Sequence, residues 1–149
     1  RRAKIRSTIE PGLVSRVDPR ALRQVVLNLL DNAVKYGPVG QTVSVALAST
    51  GDHVIVSVED KGPGVPKADR EKIWDPYVRL TRETESAAGG SGIGLSIVRE
   101  LVRLHEGRTW VEGAPGGGAR FVGEFPRMHA DRPTTPSRSM PRQSAGVGA

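Results

Sequence analysis

TVSVALASTGDHVIVSVEDKGPG, residues 42–64, holds the reading on which the fold turns. Apolar and polar residues alternate with period two from Thr42 and again from His53, on either side of Thr50–Gly51–Asp52. That pattern predicts two antiparallel strands joined by a tight turn, each with one face toward a core. The second strand ends on a carboxylate, Asp60, and is followed by Gly62–Pro63–Gly64. A plain turn accounts for the glycines, but a carboxylate at the mouth of an apolar strand is also a place to read a ligand.

Upstream, Asp18 followed by Pro19 is a helix start, a capping carboxylate with proline in the first turn. The helix runs to about Tyr36, where Gly37–Pro38 stops it. Leu22, Val25, Val26, Leu29, Leu30, Ala33 and Val34 form its apolar stripe. At about 100° per residue, Asn28, Asn32 and Lys35 share a separate narrow face. Asparagine is a mediocre helix former, so the helix itself does not ask for these amides. Before it, residues 4–10 (KIRSTIE) and 13–17 (LVSRV) read as short strands separated by the Pro11–Gly12 turn.

Downstream, a short helix is expected from Pro66 to Ile73, and residues 80–91 show no pattern and read as a mobile loop. A second helix follows, with Leu95, Val98, Leu101 and Val102 on one face. RTWVE (108–112) and ARFVGEF (119–125) flank a glycine-rich turn and predict another hairpin. The sum is an α/β two-layer sandwich, a mixed sheet with helices on one face, over residues 1–126. Residues 127–149 are Pro, Ser, Arg and Gly rich without periodicity and read as a disordered basic tail.

A chain of 149 residues fits one domain with a real core. It has no cysteine, which excludes disulfides, thiol catalysis and thiolate zinc sites. No apolar run approaches a membrane span and nothing resembles a signal peptide, so a cytoplasmic protein without membrane contact is expected. The net charge of +6 sits at the ends: Arg1, Arg2, Lys4 and Arg6 at one, and four arginines against Asp131 at the other. The part between is near neutral, which argues against a nucleic-acid partner.

GGSGIGLSIV, residues 89–98, is a glycine-rich stretch that opens a helix, where backbone N–H groups and the helix dipole favour a phosphate. It is not a P-loop, since no Gly-Lys-Ser/Thr follows. It is not the dinucleotide fingerprint either, because Ile97 stands at the third-glycine position counted from Gly92. Asp60 can accept a hydrogen bond from the exocyclic amine of adenine, with Gly62 and Gly64 letting backbone approach the base. The amide oxygens of Asn28 and Asn32 suit Mg²⁺, which needs few protein ligands. Lys35 offers charge to phosphate, and Tyr36 an aromatic face to the base. Each feature alone has a structural explanation; together they describe a site for Mg·ATP.

The order Asn-Leu-Leu-x-Asn-Ala-x-Lys-Tyr (28–36), Asp-x-Gly-x-Gly (60–64), IWDPYVR (73–79) and Gly-Ser-Gly-Ile-Gly-Leu (90–95) resembles the ATP-binding catalytic domain of bacterial sensor histidine kinases, with its N, G1, F and G2 boxes. The resemblance covers residues 4–126 and implies the Bergerat-type sandwich shared with MutL and type II topoisomerase ATPase domains. It implies that Asn32 is the Mg²⁺ ligand, with Asn28 its helper on the same face. Lys35 and Tyr36 would lie beside phosphate and adenine, and Asp60 would bind the adenine amine. Gly62, Gly64, Gly90, Gly92, Gly94 and Leu95 would shape the pocket, residues 80–91 would form the lid, and Arg79 would reach phosphate or the partner domain.

Two departures stand out. Trp74 and Tyr77 occupy the places of the usual F-box phenylalanines, for which a packing change alone is expected. No His-Glu-x-x-Thr-Pro phosphoacceptor stretch is present, and His53, His105 and His129 read as structural or solvent-exposed. The resemblance therefore implies a partner, a helical dimerisation and phosphoacceptor domain, and beyond it a response regulator.

Asn28 stands where ATPases of the superfamily commonly hold a glutamate that deprotonates water. A neutral imidazole, with a pKa of about 6.5, needs no such base at neutral pH. Transfer to histidine is therefore favoured over hydrolysis and over an anti-sigma-type serine kinase. A non-catalytic, nucleotide-dependent binding module is the alternative of a different class.

Overall fold

The computed structural model describes residues 2–77 and 93–128. Strand β1 (Lys4–Ile9) is followed by helix α1 (Pro19–Tyr36) and by the hairpin of β2 (Thr42–Thr50) and β3 (His53–Glu59). Two 3₁₀ turns, Lys67–Asp69 and Lys72–Trp74, come before helix α2 (Gly94–Leu104), and β4 (Arg108–Gly113) and β5 (Ala119–Pro126) complete the elements. The sheet order is β1-β2-β3-β5-β4. β1 runs parallel to β2, and the other pairs are antiparallel. A parallel pair needs a long crossover, and α1 supplies it.

Register explains where the core lies. Val45 pairs with Val58 and Val58 with Phe121; Val54 pairs with Phe125. Residues directly opposite share a face, so one side of the sheet is apolar. Val25, Leu29 and Ala33 of α1 and Val98 and Val102 of α2, all fully buried, pack with Val43, Val56, Val58, Phe121 and Phe125 in one cluster. Both helices thus cover the same face, as the two-layer reading expects. The opposite face carries charges in cross-strand pairs. Arg120 meets Glu112 at 3.0 Å and Glu59 at 3.6 Å, and Arg108 meets Glu124 at 2.8 Å. Among the described residues no helix is long and apolar enough to cross a membrane.

Two segments differ from expectation. Residues 13–17 form no strand, only a single bridge from Val14 to Met128. A strand needs a neighbour with free backbone groups along its length, and this segment meets one only at that residue. Residues 66–73 form separate 3₁₀ turns, with Asp69 N–H on the Pro66 carbonyl and Trp74 N–H on the Glu71 carbonyl. So short a run cannot repay α-helix nucleation, and i→i+3 turns result. Arg127 and Met128, assigned to the tail by sequence, still pair with Asp52 and Val14. The expected lid (80–91) and the rest of the tail lie outside the described residues.

Candidate functional site

Helix α1 is fixed at both ends. The Asp18 carboxylate accepts the Arg20 N–H at 2.9 Å, with Pro19 in the first turn. This hydrogen bond, followed by the Arg20 charge, holds the Asp18 carboxyl below its ordinary range. The Asp18 N–H donates to His105 Nε2 at 3.2 Å, while His105 Nδ1 lies 2.7 Å from the Leu101 carbonyl. That pairing puts the proton on Nδ1 and makes His105 a structural tie between the two helices. At the other end the Gly37 N–H donates to the Ala33 carbonyl at 3.0 Å. The apolar stripe packs the helix onto the sheet, and this orientation turns Asn32 and Tyr36 toward a pocket.

Asp60 stands where β3 leaves the sheet and is 5% exposed. Its Oδ1 accepts the Gly62 N–H at 2.9 Å and the Ala119 N–H at 3.1 Å. Its own N–H donates to the Ala119 carbonyl at 2.9 Å. No hydrogen bond engages Oδ2 among the described residues. The arrangement depends on Gly118, whose φ is +89° and where a Cβ would collide with the Asp60 carbonyl. Gly64, with φ +79°, lies against the Gly118 carbonyl. The sequence reading placed residues 114–118 in a hairpin and missed that this turn holds the carboxylate. The run of three glycines at 116–118 was the available signal.

The pocket opens between the two helices and the ends of β3 and β5. Of the residues singled out by sequence, Asn32, Tyr36, Asp60, Gly64 and Leu95 line it, joined by Pro63, Val65, Ile73, Ala119 and Phe121. Gly62 supports it through Asp60. Asn28 lies beside it and donates from Nδ2 to the Gly94 carbonyl at 3.2 Å, while its Oδ1 accepts from Gln24 at 2.8 Å. Lys35 does not line the pocket and pairs with Asp31 at 3.0 Å. Arg79, Gly90 and Gly92 lie outside the described residues.

Helix α2 starts at Gly94 without a side-chain cap and without an acid in its first turn. Its leading N–H groups have no intrahelical acceptor, a setting that favours an anion. Trp74 is 2% exposed and meets Phe121 edge-on at 6.1 Å, so it supplies the aromatic bulk expected of it. Tyr77 does not: it is 74% exposed with φ +66°. The packing expectation therefore holds for Trp74 alone.

Asn32 lines the pocket and its side chain makes no hydrogen bond among the described residues, so its amide oxygen is available to a hard cation. The oxygen of Asn28 is taken by Gln24 and would have to exchange. No cluster of three or more His, Cys, Asp or Glu that could hold a metal exists among the described residues. One or two oxygen donors completed by phosphate and water is the pattern Mg²⁺ uses. A buried carboxylate with one oxygen unengaged fits a donor such as the adenine amine.

Residues 17–129 match the family described as histidine kinase-, DNA gyrase B-, and HSP90-like ATPase. The adaptive-response sensory kinase SasA of Synechococcus sp. (strain JA-2-3B'a(2-13)) is 48% identical over 106 residues, which is 70% of this chain and 28% of that protein. The chain therefore spans little more than a quarter of that relative. Among solved structures, the mycobacterial sensor histidine kinase MprB superposes with a TM-score of 0.72 at 30% identity, covering 84% of this chain and 82% of that one. Full-length ShkA in complex with AMPPNP gives 0.71 at 33% identity, covering 88% of this chain and 27% of that one.

Proposed function

Because this chain belongs to the histidine kinase-, DNA gyrase B- and HSP90-like ATPase family, as a catalytic domain of the sensor histidine kinase type, we propose that it binds Mg·ATP in the pocket between α1 and α2 and presents the γ-phosphate to a histidine on a separate helical domain. The observation that carries this reading is the Asp60 carboxylate. Oδ1 is held by two backbone N–H groups, and Oδ2 is left for a base in a pocket shared with Asn32 and Tyr36. An amine donates to it, whereas the carbonyl that guanine carries at the same place is repelled. The leading N–H groups of α2 would receive phosphate, and Asn32 would supply an oxygen to the cation. Mg²⁺ would neutralise charge on the phosphates during transfer.

Asn28 separates transfer from hydrolysis. An amide cannot take a proton from water, and this one is tied to Gln24 and Gly94. A neutral imidazole brings its own lone pair, so positioning and charge stabilisation suffice. The phosphoacceptor helical domain and a response regulator downstream of it are the partners this reading requires, and the cytoplasm is where ATP would meet them.

The test is a titration of the chain with ATP, with and without Mg²⁺, beside Asp60→Asn. Losing a charge-assisted hydrogen bond predicts affinity lower by roughly tenfold to a hundredfold in the variant, with its fold retained. Unchanged affinity rejects the adenine assignment. Binding without phosphotransfer to any supplied phosphoacceptor domain favours the non-catalytic binding module.

A further inference from the structure

Gln41 belongs to none of the recognised motifs, yet it is 6% exposed and joins segments that the pocket depends on. It lies on the turn between α1 and β2, and its side chain folds back toward the helix. Nε2 donates to the Ala33 carbonyl at 2.8 Å, and Oε1 accepts the Lys61 N–H at 2.8 Å. Its main chain is engaged as well: the N–H donates to the Pro38 carbonyl at 3.2 Å, and the carbonyl accepts the Lys4 N–H at 2.8 Å.

Lys61 follows Asp60. Two successive N–H groups of this turn are thus held by side chains, Lys61 by Gln41 and Gly62 by Asp60 itself. The other end of the bridge is the last turn of α1, which carries Asn32 and Tyr36 into the pocket. Two glycines make room for it. A Cβ on Gly37 would collide with the Gln41 amide, and one on Gly62 would lie 3.0 Å from the Tyr36 carbonyl. Helix end and turn are therefore at backbone contact, with Gln41 fixing the spacing.

We propose that Gln41 is a positioning residue that sets the distance between Asp60 and the C-terminal turn of α1, and so governs recognition of the base rather than of the phosphates. The inference rests on the nucleotide reading above. The role requires a group that donates at one end and accepts at the other, which the Gln41 amide does and which neither a carboxylate nor an apolar side chain can do. A carboxylate would face the Ala33 carbonyl without a proton to give, and an apolar side chain of similar length would take away the side-chain acceptor of the partly buried Lys61 N–H.

The experiment measures affinity of the full chain for Mg·ATP, Mg·GTP and Mg·tripolyphosphate, in wild type, Gln41→Glu and Gln41→Met. The expected result is ATP affinity lower by about tenfold in both variants. Tripolyphosphate affinity should stay within about twofold of wild type, and the preference for ATP over GTP should shrink. ATP affinity within twofold of wild type in folded variants overturns the role of Gln41. So does an equal loss for ATP and tripolyphosphate, which would mark general loosening. A wild type that does not prefer ATP to tripolyphosphate rejects the base-reading site itself, before Gln41 enters. Amide exchange in the wild type needs no variant: Lys61 should exchange well over tenfold more slowly than Gly64 if the bridge persists in solution, and equal rates overturn the proposal.

Discussion

The two oxygens of Asp60 differ in their surroundings: Oδ1 accepts two backbone N–H groups, and no hydrogen bond engages Oδ2 among the described residues. Oδ1 holds the Gly62 N–H of the turn and the Ala119 N–H at the start of β5, which restrains the side chain and orients Oδ2. That the carboxylate at the end of an apolar strand beside two glycines lines a pocket was legible in the sequence, because strand, charge and glycines are local signals. Gln41, Gly118 and Ala119 were not, since their contacts with residues 60 and 61 are long-range. A glutamine before a strand has no local pattern that sets it apart from a solvated one. Gly118 offers a prediction at this scale. Alanine there must adopt φ near +89° and push against the Asp60 carbonyl. Gly118→Ala should cost about 1–3 kcal/mol in chemical denaturation and weaken ATP binding with it. Alanine at Gly116, with φ +83° but nothing within 4 Å of its Cβ, should leave ATP affinity unchanged.

Helix α1 is the element that connects stability with the site. Its length, start and stop were all readable, because capping residues and an apolar stripe are strong signals of period 3.6. The short run after Pro66 misled for the opposite reason: too few residues separate helix from 3₁₀ turn. The cap predicts a pH effect whose sign is fixed. The folded-state pKa of Asp18 lies below its ordinary 3.8 because it accepts the Arg20 N–H. Its stabilisation is therefore complete above about that pH and is lost as pH falls through the lower folded value. Glu10, lowered by its hydrogen bonds from the Ser49 N–H and hydroxyl, acts with the same sign. Asp18→Ala should melt a few degrees below wild type at pH 7, and the gap should close below pH 3.8 when melting is followed by circular dichroism.

At the scale of the whole molecule, the two faces of the sheet divide the labour. One packs the helices and frames the pocket, and the other carries paired charges away from it. The mixed sheet with helices on one face was legible from the order of hairpins and helices. The pairing of β1 with β2 was not, because Lys4 and its neighbour Thr42 are far apart in sequence and nothing local records their meeting. The histidines bear on the whole protein. His105 is tied between helix ends, His53 lies 4.0 Å from Glu124 on the charged face, and neither belongs to the pocket. Phosphotransfer of the proposed kind would require an acceptor histidine on another domain. A Mg·ATP site between α1 and α2, with Asp60 on the base, can be followed through backbone amide resonances during titration with Mg·ATP. Shifts are expected at Asn32 to Gly37, Asp60, Lys61, Gly62, Gly64, Leu95 and Ala119, with His53, Arg108 and Arg120 unmoved. Shifts confined to the charged sheet face or to the basic N-terminal residues, with Asp60 and its turn silent, would contradict it.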